Sequence, residues 1–168
     1  MALRTIIDTT DETLFKKSRP VTDFNPRLHQ LLDDMRETLA ASGGLGLAAP
    51  QVGVLRRAVI VVNDDEEMVE LVNPEIIETE GEEENYEGCL SVPGRFGLVT
   101  RPWYVKVKAQ DRFGNWFEAD GEDYTARCFC HELDHLEGHV FTELCDELIS
   151  EEELIEIRRA EAEEDMED

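Results

Sequence analysis

The residues best suited to chemistry lie in the segment CFCHELDHLEGH, residues 128–139. It contains His131, Glu132 and His135 in the pattern H-E-x-x-H. Two histidines four residues apart share one face of a helix, so both imidazoles can bind the same metal ion. Glu132 lies between them and can reach a water on that metal, where a general base is required. The spacing therefore predicts a hydrolytic metal site carried by a helix.

The third ligand of this metal is not fixed by the segment itself. One class of zinc peptidases continues with a glycine, which Gly138 matches, and then a histidine, but Phe141 occupies that position. His139 comes two residues early and follows the glycine that is expected to end the helix. Another class takes a glutamate from a later helix, and Glu151 to Glu156 offers several candidates.

Cysteine is the remaining choice, because thiolate and imidazole both suit Zn²⁺ and Fe²⁺. Cys128 lies near the histidine face, whereas Cys130 is rotated about 100° from His131 and is a poor ligand. Both are equally well explained as small apolar core residues. Cys89 lies far away in the sequence, in the segment EGCLS. A ligand on a separate strand could coordinate the metal from a direction that ligands on one helix cannot reach. The residues alone leave a glutamate and a cysteine open.

Apolar spacing predicts the elements that must position these residues. A helix begins at the N-cap Asn25 and stops at Gly43 or Gly44. The run RRAVIVVN predicts a buried strand. MVELVNPEIIETE predicts one or two more strands, with Pro74 at an edge or a break. The acidic EGEEEN that follows is expected to be a loop.

The second half of the chain is predicted to contain a hairpin and two helices. WYVKVKAQDRFGNWFEAD alternates in the manner of two strands joined by a turn at Phe113-Gly114-Asn115. A helix from about Glu122 to Glu137 carries the metal pattern. Ser150 and Glu153 form a capping box for a last helix. The apolar stripe of that helix is expected at positions 154, 155 and 157.

Length and charge limit the class of protein. The chain has 168 residues, which predicts a single domain over 1–168 with an acidic C-terminal segment from about residue 146. The formal net charge is −24, with eleven acidic residues between 63 and 85 and twelve between 146 and 168. Such a chain repels phosphate backbones, so direct nucleic acid binding is not expected.

The cysteine content and the absence of long apolar runs predict a cytoplasmic location. No stretch approaches the ~18–20 apolar residues of a membrane helix, so no membrane partner is expected. The N-terminus also lacks the features of a signal peptide. The four cysteines are therefore expected to be free thiols, ligands or nucleophiles rather than disulfides.

Three segments together resemble the peptide deformylase family. They are GLGLAAPQ (44–51), EGCLS (87–91) and HELDH (131–135), and their order and separations are similar to the family's. The resemblance implies an α+β fold with antiparallel strands packed around a central metal-binding helix. It also implies hydrolysis of the formyl group from nascent chains that begin with formyl-methionine, with release of formate.

The resemblance also implies a role for individual residues. Cys89, His131 and His135 would bind one divalent metal, Fe²⁺ in cells, often replaced by Zn²⁺, Ni²⁺ or Co²⁺. Glu132 would take a proton from water and give it to the leaving amine. The oxyanion would be stabilised by two groups, the Gln51 side chain and the backbone N–H of Leu90.

The substrate-binding residues implied by the family are Gly44, Leu45, Gly46, Glu87 and Cys128. Gly46 would lie against the peptide backbone, and Leu45 and Cys128 would line the methionine pocket. Glu87 would also pair with an arginine, Arg101.

The sequence departs from the family pattern at two places. Cys130 stands where the family usually has glutamine. Some members end in a basic helix that docks on the ribosome, whereas the tail here is acidic. That leaves a basic ribosomal protein, rather than RNA, as the partner for this segment.

Two other readings of the chain compete with this one. A zinc endopeptidase would use a glutamate ligand from the last helix, with Cys89 merely structural. An acidic metal-storage or interaction protein would use the histidines without catalysis.

Overall fold

The helix that carries the H-E-x-x-H pattern packs on one antiparallel sheet and is hydrogen-bonded to a second. A computed structural model describes residues 2–167. The elements are α1 (Pro26–Ser42), β1 (Gly46–Ala48), β2 (Ala58–Val62), β3 (Met68–Glu80), β4 (Glu83–Cys89), β5 (Val92–Arg101), β6 (Tyr104–Gln110), β7 (Trp116–Glu122), α2 (Tyr124–Leu136), β8 (Ile149–Ser150) and α3 (Glu151–Glu167). One sheet has the order β1-β2-β3-β6-β7 and the other β4-β5-β8, with every neighbouring pair antiparallel. The expected α+β class, with antiparallel strands around the helix, is confirmed.

Strand β2 is buried on both faces because a helix covers each one. Ala58 and Ile60 belong to the core cluster that includes the leucines of α1. Val59 and Val61 belong to the cluster that includes Phe129 of α2. Since successive strand residues point to opposite faces, the unbroken apolar run of β2 is what two covering helices require.

Helix α1 follows its sequence signals closely. The Asn25 side chain accepts a hydrogen bond from the N–H of Leu28, and Pro26 occupies the first turn. The apolar residues that recur at helical spacing are buried, among them Leu32 and Met35 at 0% exposure. The helix ends at Gly43, whose φ of 71° favours glycine.

Helix α2 begins at Tyr124, two residues later than predicted, and ends before Gly138. Gly138 has a φ of 80°, and a Cβ there would lie 2.5 Å from the carbonyl oxygen of Phe15. Both the turn and the close approach of the N-terminal segment therefore require glycine at this position.

One prediction about the strands was wrong, and another was met in one of its two forms. The segment expected to be an acidic loop is mostly strand, because Glu83 to Asn85 begin β4. Glu84 in this strand is exposed, so acidic residues are tolerated there. Pro74 lies inside β3, an interior strand of its sheet, and the register shifts between Val72 and Glu75. The expected break is correct, but the alternative edge position is not.

The first residues of helix α3 are held against the fold by the short strand that precedes them. Strand β8 pairs with β5, matching Ser150 to Arg95. The predicted capping box is present, since the N–H of Glu153 donates to the Ser150 hydroxyl at 3.2 Å. The predicted apolar stripe is only partly correct: Leu154 is buried, but Ile155 is 48% exposed. Within the described residues, no helix has both the length and the apolar character needed to cross a membrane.

Candidate active site

Cys89 and the two histidines come together from different elements. Cys89 ends β4, after a register irregularity between Gly88 and Cys89. His131 and His135 lie one turn apart on α2, and both are buried. The thiol sulphur of Cys89 lies 3.4 Å from Nε2 of His135. One donor atom from each of the three residues lies within 4.8 Å of the others.

This donor set fits a divalent cation. Among residues 2–167, it is the one group of at least three histidines, cysteines or carboxylates that converges in this way. Sulphur and two imidazole nitrogens are ligands that Fe²⁺ and Zn²⁺ accept. Burial alone would lower the pKa of His131, but the negative charges of Glu132, Cys89 and Glu87 outweigh burial and raise it well above its usual value. The negative groups around His131 therefore favour a positive charge beside its ring, whereas burial lowers the pKa of His135 to about 3 and keeps that imidazole neutral.

The other ligand candidates lie elsewhere. His139 is exposed and pairs with Glu143 at 3.0 Å. The glutamates from 151 to 156 are not members of the converging group in the described chain. Burial raises the pKa of the Cys130 thiol to about 11 and that of the Cys128 thiol to about 12. Both are therefore neutral thiols, and Cys130 is packed in the core against the five-stranded sheet.

Glu87 orients the imidazole ring of His131. Its Oε1 lies 2.9 Å from Nδ1 of His131, so the other ring nitrogen is left for the donor cluster. The expected pair with Arg101 is present and buried, with hydrogen bonds of 2.7 and 3.0 Å. Burial alone would raise the pKa of Glu87, but His131 and Arg101 outweigh it and lower the pKa to about 2. Glu87 is thus a carboxylate whose oxygens are engaged by protein groups.

Arg127 was missed by the sequence reasoning. Its guanidinium donates to Glu87 at 2.7 Å and to the carbonyl of Val99 at 2.9 Å. It also donates to the carbonyl of Glu83 at 2.9 Å, so it joins α2 to β4 and β5. A single arginine beside a cysteine carries no motif, and only its burial reveals this role.

Asp134 lies within the H-E-x-x-H pattern, where a carboxylate could orient a histidine ring. It instead accepts a hydrogen bond from Arg101 at 2.7 Å. The carboxylate that contacts His131 is instead Glu87. Asp134 therefore supports the site one contact further away, through the arginine.

Glu132 lies between the two histidines in the sequence, and its buried side chain faces Gly46. It is 4% exposed, and its Oε1 is buried without a hydrogen-bond partner in the described structure. Burial raises the pKa of Glu132 to about 7. A carboxyl group with such a pKa can both accept and release a proton near neutral pH.

Gly46 makes room for Glu132. A Cβ on Gly46 would overlap the Glu132 carboxyl group, with the carboxyl carbon only 2.8 Å away. The resemblance implies that this residue is a glycine because the substrate backbone lies against it. The structure shows a second reason, the space that Glu132 occupies. Replacing Gly46 by alanine would force the general-base candidate to move.

We expect Gly46→Ala to lower kcat/KM for amide hydrolysis by about 100-fold, the usual cost of misplacing a catalytic group by about 1 Å. Bound metal, measured by atomic absorption, should remain near the wild-type level, because the three donor residues are untouched. Gly121→Ala is the comparison, since its Cβ would overlap the Thr125 side chain in a similar way but Gly121 does not line the cavity. An equal loss in both variants would contradict the proposed contact between Gly46 and Glu132.

Gln51 is fixed beside Cys89 by its own hydrogen bonds. Its Oε1 accepts from the N–H of Ala48 at 2.9 Å, and its Nε2 donates to the Ser91 hydroxyl at 3.1 Å. Nε2 also lies 3.6 Å from the Cys89 sulphur. Leu90 and Ser91 form the two-residue turn between β4 and β5. A side-chain amide and the N–H of the first turn residue therefore flank Cys89.

A cavity of about 620 Å³ opens beside these groups. Nine predicted site residues line it: Gly44, Leu45, Gly46, Gln51, Glu87, Cys89, Leu90, Cys128 and His131. Glu132 and His135 are not lining residues and lie behind them, buried. The sequence reasoning did not anticipate the aromatic part of the wall, where Tyr86, Phe96 and Tyr124 lie.

Comparison with known proteins agrees with this geometry. The polypeptide deformylase family model matches residues 3–150. A peptide deformylase of Caldicellulosiruptor bescii is 55% identical over 160 residues, covering 95% of this chain and 95% of the relative. A second, from Agathobacter rectalis, is 51% identical over 143 residues, covering 85% of this chain and 90% of the relative.

The solved structures give the same result. The crystal structure of a peptide deformylase from Legionella pneumophila matches with a TM-score of 0.81 at 43% sequence identity, covering 94% of this chain and 92% of that one. These matches do not favour the zinc endopeptidase alternative. The chain therefore belongs to the peptide deformylase family, hydrolases that remove the N-terminal formyl group from formyl-methionyl polypeptides.

Proposed function

We propose that Cys89, His131 and His135 hold one divalent cation, Fe²⁺ in cells, and that Zn²⁺, Ni²⁺ or Co²⁺ can replace it. The convergence of their donor atoms within 4.8 Å is the observation that carries this proposal. When bound, such a cation supplies Lewis acidity, which lowers the pKa of coordinated water to about 7 and polarises the formyl oxygen. Glu87 fixes the ring of His131 and so keeps its free nitrogen directed to the donor cluster.

Glu132 is the proton carrier of the reaction. Its carboxylate takes a proton from the attacking water and then delivers it to the departing amine nitrogen. The buried, unpaired Oε1 is the acceptor atom. Contact with Gly46 holds this side chain in one position, so that no reorientation is needed between the two transfers.

Gln51 and Leu90 stabilise the negative charge that develops on the formyl oxygen. The Gln51 amide is preorganised by Ala48 and Ser91, and the Leu90 N–H lies in the turn after Cys89. Donors fixed in advance cost no reorganisation during the reaction, and each one typically contributes roughly 3 kcal/mol.

The peptide is expected to bind along β1. This strand is at the edge of its sheet and pairs only with β2, and Gly44, Leu45 and Gly46 line the cavity. An extended peptide can therefore add as a further strand, with backbone hydrogen bonds that do not depend on its sequence. The methionine side chain would enter the aromatic part of the cavity, where Cys128 would also contact it.

The substrate class and the setting complete the proposal. The substrates are nascent chains that begin with formyl-methionine, and the ribosome is the expected partner, reached through protein rather than RNA. We further propose a cytoplasmic location, because translation supplies the substrate there. The whole chain, 1–168, is proposed to act as one domain, with the acidic segment from about residue 146 as its C-terminal part.

The decisive experiment is an assay of formate release from formyl-Met-Ala-Ser, using protein purified without oxygen and with its metal content measured. We expect stoichiometric release of formate and of the free amino terminus. Cleavage of an internal bond in an unformylated peptide would favour an endopeptidase instead. Metal binding without turnover would favour the storage protein.

A further inference from the structure

The C-terminal helix forms part of the mouth of the active-site cavity. Glu151 and Arg158 of α3 both line it, and Leu154 between them is buried at 4% exposure. Positions 151, 154 and 158 are three and four residues apart, so they share one face of the helix. The pairing of β8 with Arg95 anchors this face beside β5, and Arg95 lines the same cavity.

Arg95 and Arg158 are cations without a carboxylate partner. In the described part of the chain, neither forms an ion pair within 4.0 Å, and both are exposed. The third arginine of the cavity wall, Arg127, is paired with Glu87 at 2.7 Å. The mouth of the cavity therefore carries two unpaired guanidinium groups and one carboxylate, Glu151, a local excess of positive charge in a chain with 16 basic and 40 acidic residues.

We propose that Arg95 and Arg158 select formylated peptides that carry an acidic residue downstream of the formyl-methionine. This inference rests on the proposed function, because it requires the peptide to run from the donor cluster toward the cavity mouth. Guanidinium groups bind carboxylates through paired, directional hydrogen bonds, and their weak hydration favours such contacts. An extended chain advances about 3.3 Å per residue, so each residue after methionine brings its side chain that much closer to the mouth.

The net charge of the protein predicts the opposite preference. A chain of −24 attracts basic peptides through its overall field. At physiological salt, however, charges beyond about 8 Å are largely screened, so the nearest arginines dominate a bound side chain. Preference for aspartate over lysine would therefore come from the two arginines and not from the protein as a whole.

The test uses the metal-loaded full-length protein and peptides of the form formyl-Met-Ala-Ala-Ala-Ala-amide. Asp, Asn or Lys replaces one alanine at position three, four or five, and the amide removes the terminal carboxylate. At one of these positions we expect kcat/KM for Asp to exceed that for Lys by about fivefold, the size that an exposed charge pair gives. The difference should lie in KM and should shrink as salt is raised.

Arg158→Ala and Arg95→Ala should each reduce this ratio, with circular dichroism and metal content verifying that the variants are intact. Arg159→Ala is the matched control, because Arg159 is the next residue of α3, is also exposed, and does not line the cavity. Its ratio should equal that of the wild type.

Three outcomes would overturn the inference. They are a ratio near one at all three positions, a preference for lysine, and a ratio that Arg158→Ala and Arg95→Ala leave unchanged. In each case formate release continues and the proposed function stands. Failure to release formate from any peptide would overturn both.

Discussion

Replacing Glu132 by glutamine is expected to lower kcat/KM for formate release by about 10²–10⁴-fold, the usual contribution of a general base. The amide has nearly the same shape, so it can keep the packing against Gly46, but it cannot accept a proton. Bound metal should stay stoichiometric, because Glu132 is not one of the three converging donors. Steady-state kinetics and metal analysis on the same sample measure both quantities.

The Glu132→Gln protein should not be less stable than the wild type. The Glu132 carboxyl is buried with one oxygen unpaired, an arrangement that costs free energy and is retained at sites where function requires it. Glu118→Gln is the control, since Glu118 is exposed on β7 and pairs with Lys106, and neither residue lines the cavity. A Glu132→Gln enzyme with near wild-type kcat/KM would exclude Glu132 as the proton carrier.

Replacing Cys89 by alanine is expected to remove both metal and activity. It deletes one of three donors, and even residues that only orient a ligand contribute about 10–100-fold to metal affinity. We therefore expect the affinity for metal to fall by about 100-fold or more. Stoichiometric metal should no longer be present after dialysis against a chelator. Metal content by mass spectrometry gives a readout that is independent of turnover.

Cys145→Ala is the matched control for this experiment. Cys145 is also a free, partly buried cysteine, and its thiol donates only to the carbonyl of Thr142. Its removal should leave metal content at the wild-type level. If Cys89→Ala retained stoichiometric metal and full activity, the ligand assignment would be wrong.

The half of the candidate site on α2 was predictable from the sequence because helix geometry is local. Residues four apart on a helix meet whatever else the chain does, so His131 and His135 could be paired without knowing the fold. Cys89 could not be found in this way. Nothing in its spacing says which distant strand end meets the helix, and only the resemblance to a family selected it.

The contacts that support the site were harder to foresee, because they depend on burial rather than pattern. Arg127 resembles any helix arginine until its contacts with Glu87 and two carbonyls are known. The acidic start of β4 was predicted as a loop because strand signals assume apolar alternation, which an exposed strand face does not need. Gly46 was recognised as special, but the space it leaves is filled by Glu132, which lies 86 positions later in the sequence.

The distribution of the three donor residues over the chain has a thermodynamic consequence. Cys89 and His135 are 46 positions apart, so the donor cluster exists only after β4 has docked against α2. A cation that binds the folded chain and not the unfolded one adds RT ln(1 + [M]/Kd) to the free energy of unfolding, about 2.7 kcal/mol at 100 times Kd. If the three donors hold a cation as proposed, the concentration of free metal would contribute to the stability of this protein as well as to its activity.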